Sequence, residues 1–191
     1  MQPCRLFAEE LACRRGDRLL LRRVGFRLVA GDALHLAGPN GIGKSSLLRI
    51  LAGLMRPYAG RIDASGTIAL SDERLPLDAH RPLGAALDFW RRLDGAGAQS
   101  SDFGLEDLHD VPVRYLSTGQ RKRAALACLS ASGTGIWLLD EPLNGLDAYW
   151  AGVAQAAIEA HRASGGIAVI ASHQPLDLKG LVVLPLLDHL P

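Results

Sequence analysis

Gly38-Pro39-Asn40-Gly41-Ile42-Gly43-Lys44-Ser45 decides how the rest of this chain is read. It has the form Gly, four residues, Gly-Lys-Ser/Thr. Glycines at that spacing let the backbone curl until several N–H groups point into one concavity, which suits phosphate oxygens. Lys44 brings a cation to the β- and γ-phosphates of a nucleotide, and the Ser45 hydroxyl is placed to ligate Mg²⁺. The flanks agree. Ala33-Leu34-His35-Leu36-Ala37 reads as a short buried strand entering the loop. Ser46-Leu47-Leu48-Arg49-Ile50-Leu51 opens a helix whose N-terminus attracts anions.

Working outward, residues 3 to about 37 are β-rich, with Val24, Phe26 and Leu28 alternating against Gly25, Arg27 and Val29. Past the first helix, which Gly53 and Pro57 bracket, residues 60 to 70 read as a short hairpin ending in Thr67-Ile68-Ala69-Leu70. From about 72 to 112 the pattern loosens around one helix, Pro82 to Leu93, and a flexible Gly95–Ser101 connection. Ser117 with Gln120 three residues on has the form of a capping box for a helix running to about Ala131. Ile136-Trp137-Leu138-Leu139 and Ile167-Ala168-Val169-Ile170-Ala171 are apolar runs of the kind a buried parallel strand needs. Between them lies an amphipathic helix with Trp150, Val153, Ala154, Ala157 and Ile158 on one side. Strands and helices alternating around a phosphate loop indicate a parallel α/β core. Its ligands should sit at the carboxyl ends of the strands, so the loops after residues 37, 139 and 171 should converge.

The chemistry expected there is phosphoryl transfer to water. Asp140 ends one strand, as a Mg²⁺-holding carboxylate should, and the adjacent Glu141 is placed to position or deprotonate the water. His173, at the end of the next strand, should touch the γ-phosphate. Histidines 35, 80, 109, 161 and 189 lack such placement and read as structural or solvated.

Bulk properties narrow the class. A chain of 191 residues suits one domain, or one domain with a small lobe, and a formal net charge of +1 gives no electrostatic case for nucleic acid. Three scattered cysteines fit reduced thiols rather than a disulfide framework. No apolar run approaches the ~18–20 residues needed to cross a bilayer, and no secretory signal pattern is visible. The expectation is a cytosolic chain that another chain would have to hold at any membrane.

Taken together, the phosphate loop, Leu116-Ser117-Thr118-Gly119-Gln120, hydrophobic-Asp140-Glu141-Pro142, Asn144-Gly145-Leu146-Asp147 and the late His173 resemble, in that order, the nucleotide-binding domain of ATP-binding cassette (ABC) proteins. The likeness covers nearly the whole chain. It implies a P-loop NTPase α/β fold with a mostly parallel sheet, an N-terminal antiparallel β-subdomain and a short inserted helical subdomain. On that pattern residues 1–191 form a single ATPase domain, with about 1–71 and 133–191 as core and about 72–132 as the helical subdomain carrying the signature segment. It further implies ATP and Mg²⁺ as cofactors, and a homodimer stacked head to tail. Gly38 through Lys44, Ser45 and Ser46 of one chain would then bind ATP whose γ-phosphate meets Ser117, Gly119 and Gln120 of the other, with Asp147 coupling the two sites.

Two departures from the family pattern stand out. Glu73 aligns where the family has a glutamine that touches Mg²⁺; it can ligate the metal but cannot offer amide donors. Cys13-Arg14-Arg15-Gly16 stands where an aromatic adenine platform is usual, which leaves Arg15 to stack on the base through its guanidinium. Thr118 replaces a small signature residue, but its backbone N–H remains.

Shorter stretches, Leu11–Gly16, Leu138–Asp147 and Ala171–Leu176, are similar to the ATPase subunit of the haem exporter of cytochrome c maturation. That resemblance implies ATP hydrolysis at the cytoplasmic face of a bacterial inner membrane, with the integral permease subunits of that complex as partners and no nucleic acid. The other readings are the ATPase subunit of another ABC transporter, a soluble cassette ATPase acting on nucleic acid or ribosomes, and a non-enzymatic nucleotide-binding module. The near-neutral charge, and the absence of a second cassette or a coiled-coil insertion, oppose the soluble ATPase. Retention of Lys44, Asp140, Glu141 and His173 opposes the last.

Overall fold

The computed structural model describes residues 4–72, 74–94 and 103–191. Its strands form two sheets. Strand β1 (Arg5–Arg15) turns at Gly16-Asp17 into β2 (Arg18–Val29), and β4 (Ala59–Ser65) pairs with the other side of β1, giving an antiparallel sheet ordered β2-β1-β4. Strands β3 (Ala33–Ala37), β5 (Ile68–Ser71), β6 (Ile136–Asp140), β7 (Ile167–Ser172) and β8 (Val182–Pro185) form the second sheet, ordered β5-β6-β7-β3-β8, and every pairing in it is parallel. The α/β class and the split between antiparallel and parallel sheets are as the sequence predicts.

One expectation fails. Residues 60 to 70 are not a hairpin. β4 pairs with β1, Ile62 facing Ala8, whereas β5 pairs with β6, Leu70 facing Leu138. The chain changes sheets at Gly66-Thr67. The Thr67 carbonyl accepts from Ile136 N–H and its hydroxyl accepts from Gly135 N–H, so Thr67 already belongs to the parallel sheet. Short-range pattern marks a strand but not its partner.

Alternation along the parallel strands sorts side chains into two layers. Ile136, Leu138, Val169 and Ala171 face helix α1 (Lys44–Leu51) and the antiparallel sheet, in one core with Leu6, Leu21, Leu47, Leu48 and Leu51. Trp137, Leu139, Ala168 and Ile170 face the other way, onto α2 (Leu83–Asp94), α3 (Thr118–Ala131) and α4 (Ala148–Ala163). The stretch assigned to a helical lobe carries α2 and α3, whose apolar sides continue into the same core as α4. The histidines read as structural include two that are visibly so: His35 Nε2 lies 3.0 Å from the Ser172 carbonyl, and His161 stacks on Trp137 at 3.9 Å. None of the three cysteines is in a disulfide.

Leu138 lies in a central strand with no exposed surface. Leu138→Ala should cost about 2–5 kcal/mol of unfolding free energy, read as a lower denaturant midpoint with an unchanged slope.

Candidate active site

Parallel register brings three strand ends to one edge. Ala37 faces Ser172 and Asp140 faces Ala171, so the phosphate loop, Asp140-Glu141 and His173 emerge side by side. The loops expected to converge do converge.

The phosphate loop runs from Gly38 into α1. Gly43 precedes the helix at φ 120°, where a side chain would be strained and a Cβ would press on Leu20 and Leu21 at 3.3 Å. No side chain caps α1, so its first-turn N–H groups carry no side-chain partner and remain suited to an anion. Ile42 turns its side chain into the core; Asn40, Gly41, Gly43, Ser45 and Ser46 line the cavity in front of the loop. Lys44 is 5% exposed. Its Nζ donates to the Gly38 carbonyl at 2.7 Å and lies 3.2 Å from Glu141 Oε1.

Glu141 is bound on both sides. Its Oε2 is 3.0 Å from His173 Nδ1, while Oε1 faces Lys44. Burial raises the carboxyl's proton affinity, but the His173 hydrogen bond and the Lys44 cation outweigh it, and Glu141 titrates below the usual carboxylate range. Asp140 is pushed the other way. Burial dominates, the hydrogen bond from Ser45 opposes it, and the neighbouring Glu141 charge adds to the rise. Two consecutive carboxyls therefore differ in their ease of ionisation: at Glu141 the cationic partners outweigh burial, whereas at Asp140 burial outweighs Ser45 and Lys122.

A cavity of about 720 Å³ opens in front of these groups, within the range of small-ligand sites. Arg15, Lys44, Ser45, Asp140 and Glu141 line it, as expected. Gly38, Pro39 and His173 border this edge without lining the cavity. Ser117, Gly119, Gln120 and Asp147 do not line it either. Ser117 and Gln120 form the expected capping box at α3. Gly119 packs where a Cβ would meet the Gly145 carbonyl at 2.7 Å, and Asp147 caps α4 through Trp150 N–H at 2.9 Å. Glu73, expected at the metal, lies outside the described residues.

Sequence reasoning missed Arg18, Asp72, Thr118, Arg121 and Lys122 in the lining. Two signals were available. Arg18 is the register partner of Arg15 across the hairpin turn. Positions 118, 121, 122 and 125 share one side of α3 at helical spacing, and all four line the cavity.

Comparison with known proteins agrees with this architecture. The ABC transporter family profile matches residues 21–144. The cytochrome c biogenesis ATP-binding export protein CcmA of Novosphingobium aromaticivorans is 62% identical over 191 residues, all of both chains. The protein of the same name in Zymomonas mobilis is 50% identical over 186 residues, covering 95% of this chain and 84% of its own. A solved ABC transporter ATP-binding protein of Pyrococcus furiosus superposes with a TM-score of 0.83 at 22% identity, over 98% of this chain and all of the other, and shares the fold.

The raised Asp140 carboxyl carries a stability consequence. Its charged form is penalised in the folded state, so protonation favours folding as pH falls through the raised folded value, and the gain is complete below the ordinary value of 3.8. Asp140→Asn should therefore raise the melting temperature of the nucleotide-free chain at pH 7 by about 2–4 °C. The difference should shrink towards pH 4. A pH series of thermal melts checks this.

Proposed function

This chain belongs to the ABC transporter family, and from that premise we propose that it is the ATP-hydrolysing subunit of the membrane complex that exports haem for c-type cytochrome biogenesis. The observation that carries the hydrolytic part is the Lys44–Glu141–His173 chain, linked at 3.2 and 3.0 Å beside a phosphate loop. A γ-phosphate entering this edge competes with Glu141 for the Lys44 cation. Lys44 would then neutralise phosphate charge, releasing Glu141 to accept a proton from, or orient, the attacking water. His173 holds the other oxygen of that carboxylate and would share the γ-phosphate. Charge stabilisation and positioning do the work, as phosphoryl transfer requires.

The donors present fit Mg²⁺. Ser45 hydroxyl and Asp140 carboxylate are hard oxygen ligands that already hydrogen-bond to each other, and Asp140 holds a disfavoured buried charge. Among the described residues no three His, Cys, Asp or Glu side chains form a metal cluster, which suits an ion completed by substrate phosphates and water rather than by a protein cage. Mg²⁺ held by these residues would supply neutralisation of phosphate charge. We place Glu73 in the same role. Arg15, on the cavity wall, is read as the base-stacking group in place of an aromatic ring.

Two chains would stack head to tail. Ser117, Gly119 and Gln120, which do not line their own chain's cavity, would then serve the partner's nucleotide, with Asp147 between the sites. Among the described residues no helix is long and apolar enough to cross a membrane, so permease subunits would hold the dimer at the cytoplasmic face of the inner membrane. Their docking surface is read near residues 73–93, where Phe89 is exposed. Trp90 is used differently, donating to the Pro76 carbonyl at 2.6 Å and packing against the core.

Glu141→Gln tests the reading. ATP hydrolysis should fall by about 100-fold or more while ATP binding persists. Isolated from host membranes with ATP and Mg²⁺, this variant should retain haem-handling cytochrome c maturation subunits, identified by mass spectrometry. An unrelated permease would remove the haem assignment; a purely soluble species on ribosomes or nucleic acid would remove the transporter.

A further inference from the structure

The peptide joining Asp140 to Glu141 is held from two directions. The Glu141 N–H donates to the Ala171 carbonyl of β7 at 2.8 Å. The Asp140 carbonyl accepts from Nζ of Lys122, on α3, at 3.4 Å. Immediately after this peptide Glu141 takes φ 48°, a region that side-chain-bearing residues seldom occupy. A residue in that conformation keeps its direction only if its surroundings fix it. The plane of the 140–141 peptide is one such restraint, because it sets the start of the turn that sends Glu141 back towards Lys44 and His173.

Lys122 is well sited for this. It lies one turn beyond Thr118 on the cavity side of α3, and among the lining residues it is the cation bonded to the carbonyl of a catalytic strand end. Arg121, its neighbour, is used elsewhere, donating to the Arg114 carbonyl at 2.8 Å.

We propose that Lys122 is a positioning residue for Glu141: through the Asp140 carbonyl it makes the aim of the hydrolytic carboxylate depend on where α3, the helix opened by Leu116–Gln120, sits. The proposal rests on Glu141 being the carboxylate that acts on water. Its consequence is that a displacement of α3 towards or away from the strand ends alters the chemical step within the same chain, without any change at the phosphate loop.

Lys122→Met keeps the length and removes the donor. Measured on the full chain, its single-turnover hydrolysis rate should fall about tenfold, less than the ~100-fold that a full 1 Å misplacement can cost. Binding of a fluorescent ATP analogue in the presence of Mg²⁺ should stay within about twofold. Lys122→Arg, which retains a donor, should restore most of the rate. In a Glu141→Gln background the Met substitution should cost less than about twofold more, because a group that acts through Glu141 has nothing left to position. A wild-type rate in Lys122→Met, a loss of nucleotide binding equal to the loss of rate, or full additivity with Glu141→Gln would each overturn the proposal. If the Met variant does not fold, Lys122→Gln, whose shorter chain falls short of the carbonyl, must show the same loss. A Glu141→Gln enzyme that hydrolyses ATP at the wild-type rate would instead remove the premise that Glu141 acts on water, whatever Lys122 does.

Discussion

Parallel register at the centre of the five-stranded sheet is the constraint on which everything else depends. β3, β6 and β7 run the same way and end level, with Ala37 opposite Ser172 and Asp140 opposite Ala171. A cation, two carboxyls and an imidazole that are distant in sequence thus meet without any long loop to place them. Rigid strand ends give such groups the fixed spacing that preorganised catalysis needs. The register is protected by burial on both sides: every residue of β6 and β7 is buried, so slipping either strand by one residue would exchange its two core-facing sets.

At that edge the chain holds charge in an exchangeable form. Lys44 is nearly fully buried, and its compensation comes from the loop's own carbonyls and from Glu141. A buried ion pair of this kind adds little to stability once desolvation is counted. Its value is that the cation is already desolvated and aimed before an anion arrives, so a phosphate meets a group needing a change of partner and little reorganisation. Asp140, where burial outweighs the Ser45 hydrogen bond and the Lys122 charge, bears the cost as a raised proton affinity. A site that is electrostatically uncomfortable when empty of ligand gains most when one binds.

How much of this was legible follows from the range of each signal. Local chemistry was: the phosphate loop, the capping box at Ser117 and Gln120, the apolar runs of β6 and β7, and Asp140-Glu141 at a strand end all declare themselves within a few residues. Partnership was not. Residues 60 to 70 show two strands, but the sheet to which each belongs is set by Thr67 bonding to Gly135 and Ile136, about seventy positions away. Lys122, between Arg121 and Arg123, carries no local signal of its partner, which is a carbonyl of another element.

Of the departures from the family pattern, Arg15 and Thr118 lie away from the reacting edge of the cavity, while Glu73, expected at the metal, lies outside the described residues. The cavity's inner edge, Lys44, Ser45, Asp140 and Glu141, keeps every group that the chemistry needs. Arg15 and Thr118, where the chain differs, stand on walls contributed by the β-hairpin and by α3. On the proposed function those walls would meet the base and the partner chain rather than the reacting phosphate. Replacing a stacking ring by guanidinium retains a planar cationic surface but gives up hydrophobic area, so base affinity can drift while the chemical step is held. A threonine at the start of α3 leaves the backbone N–H groups and the capping box intact.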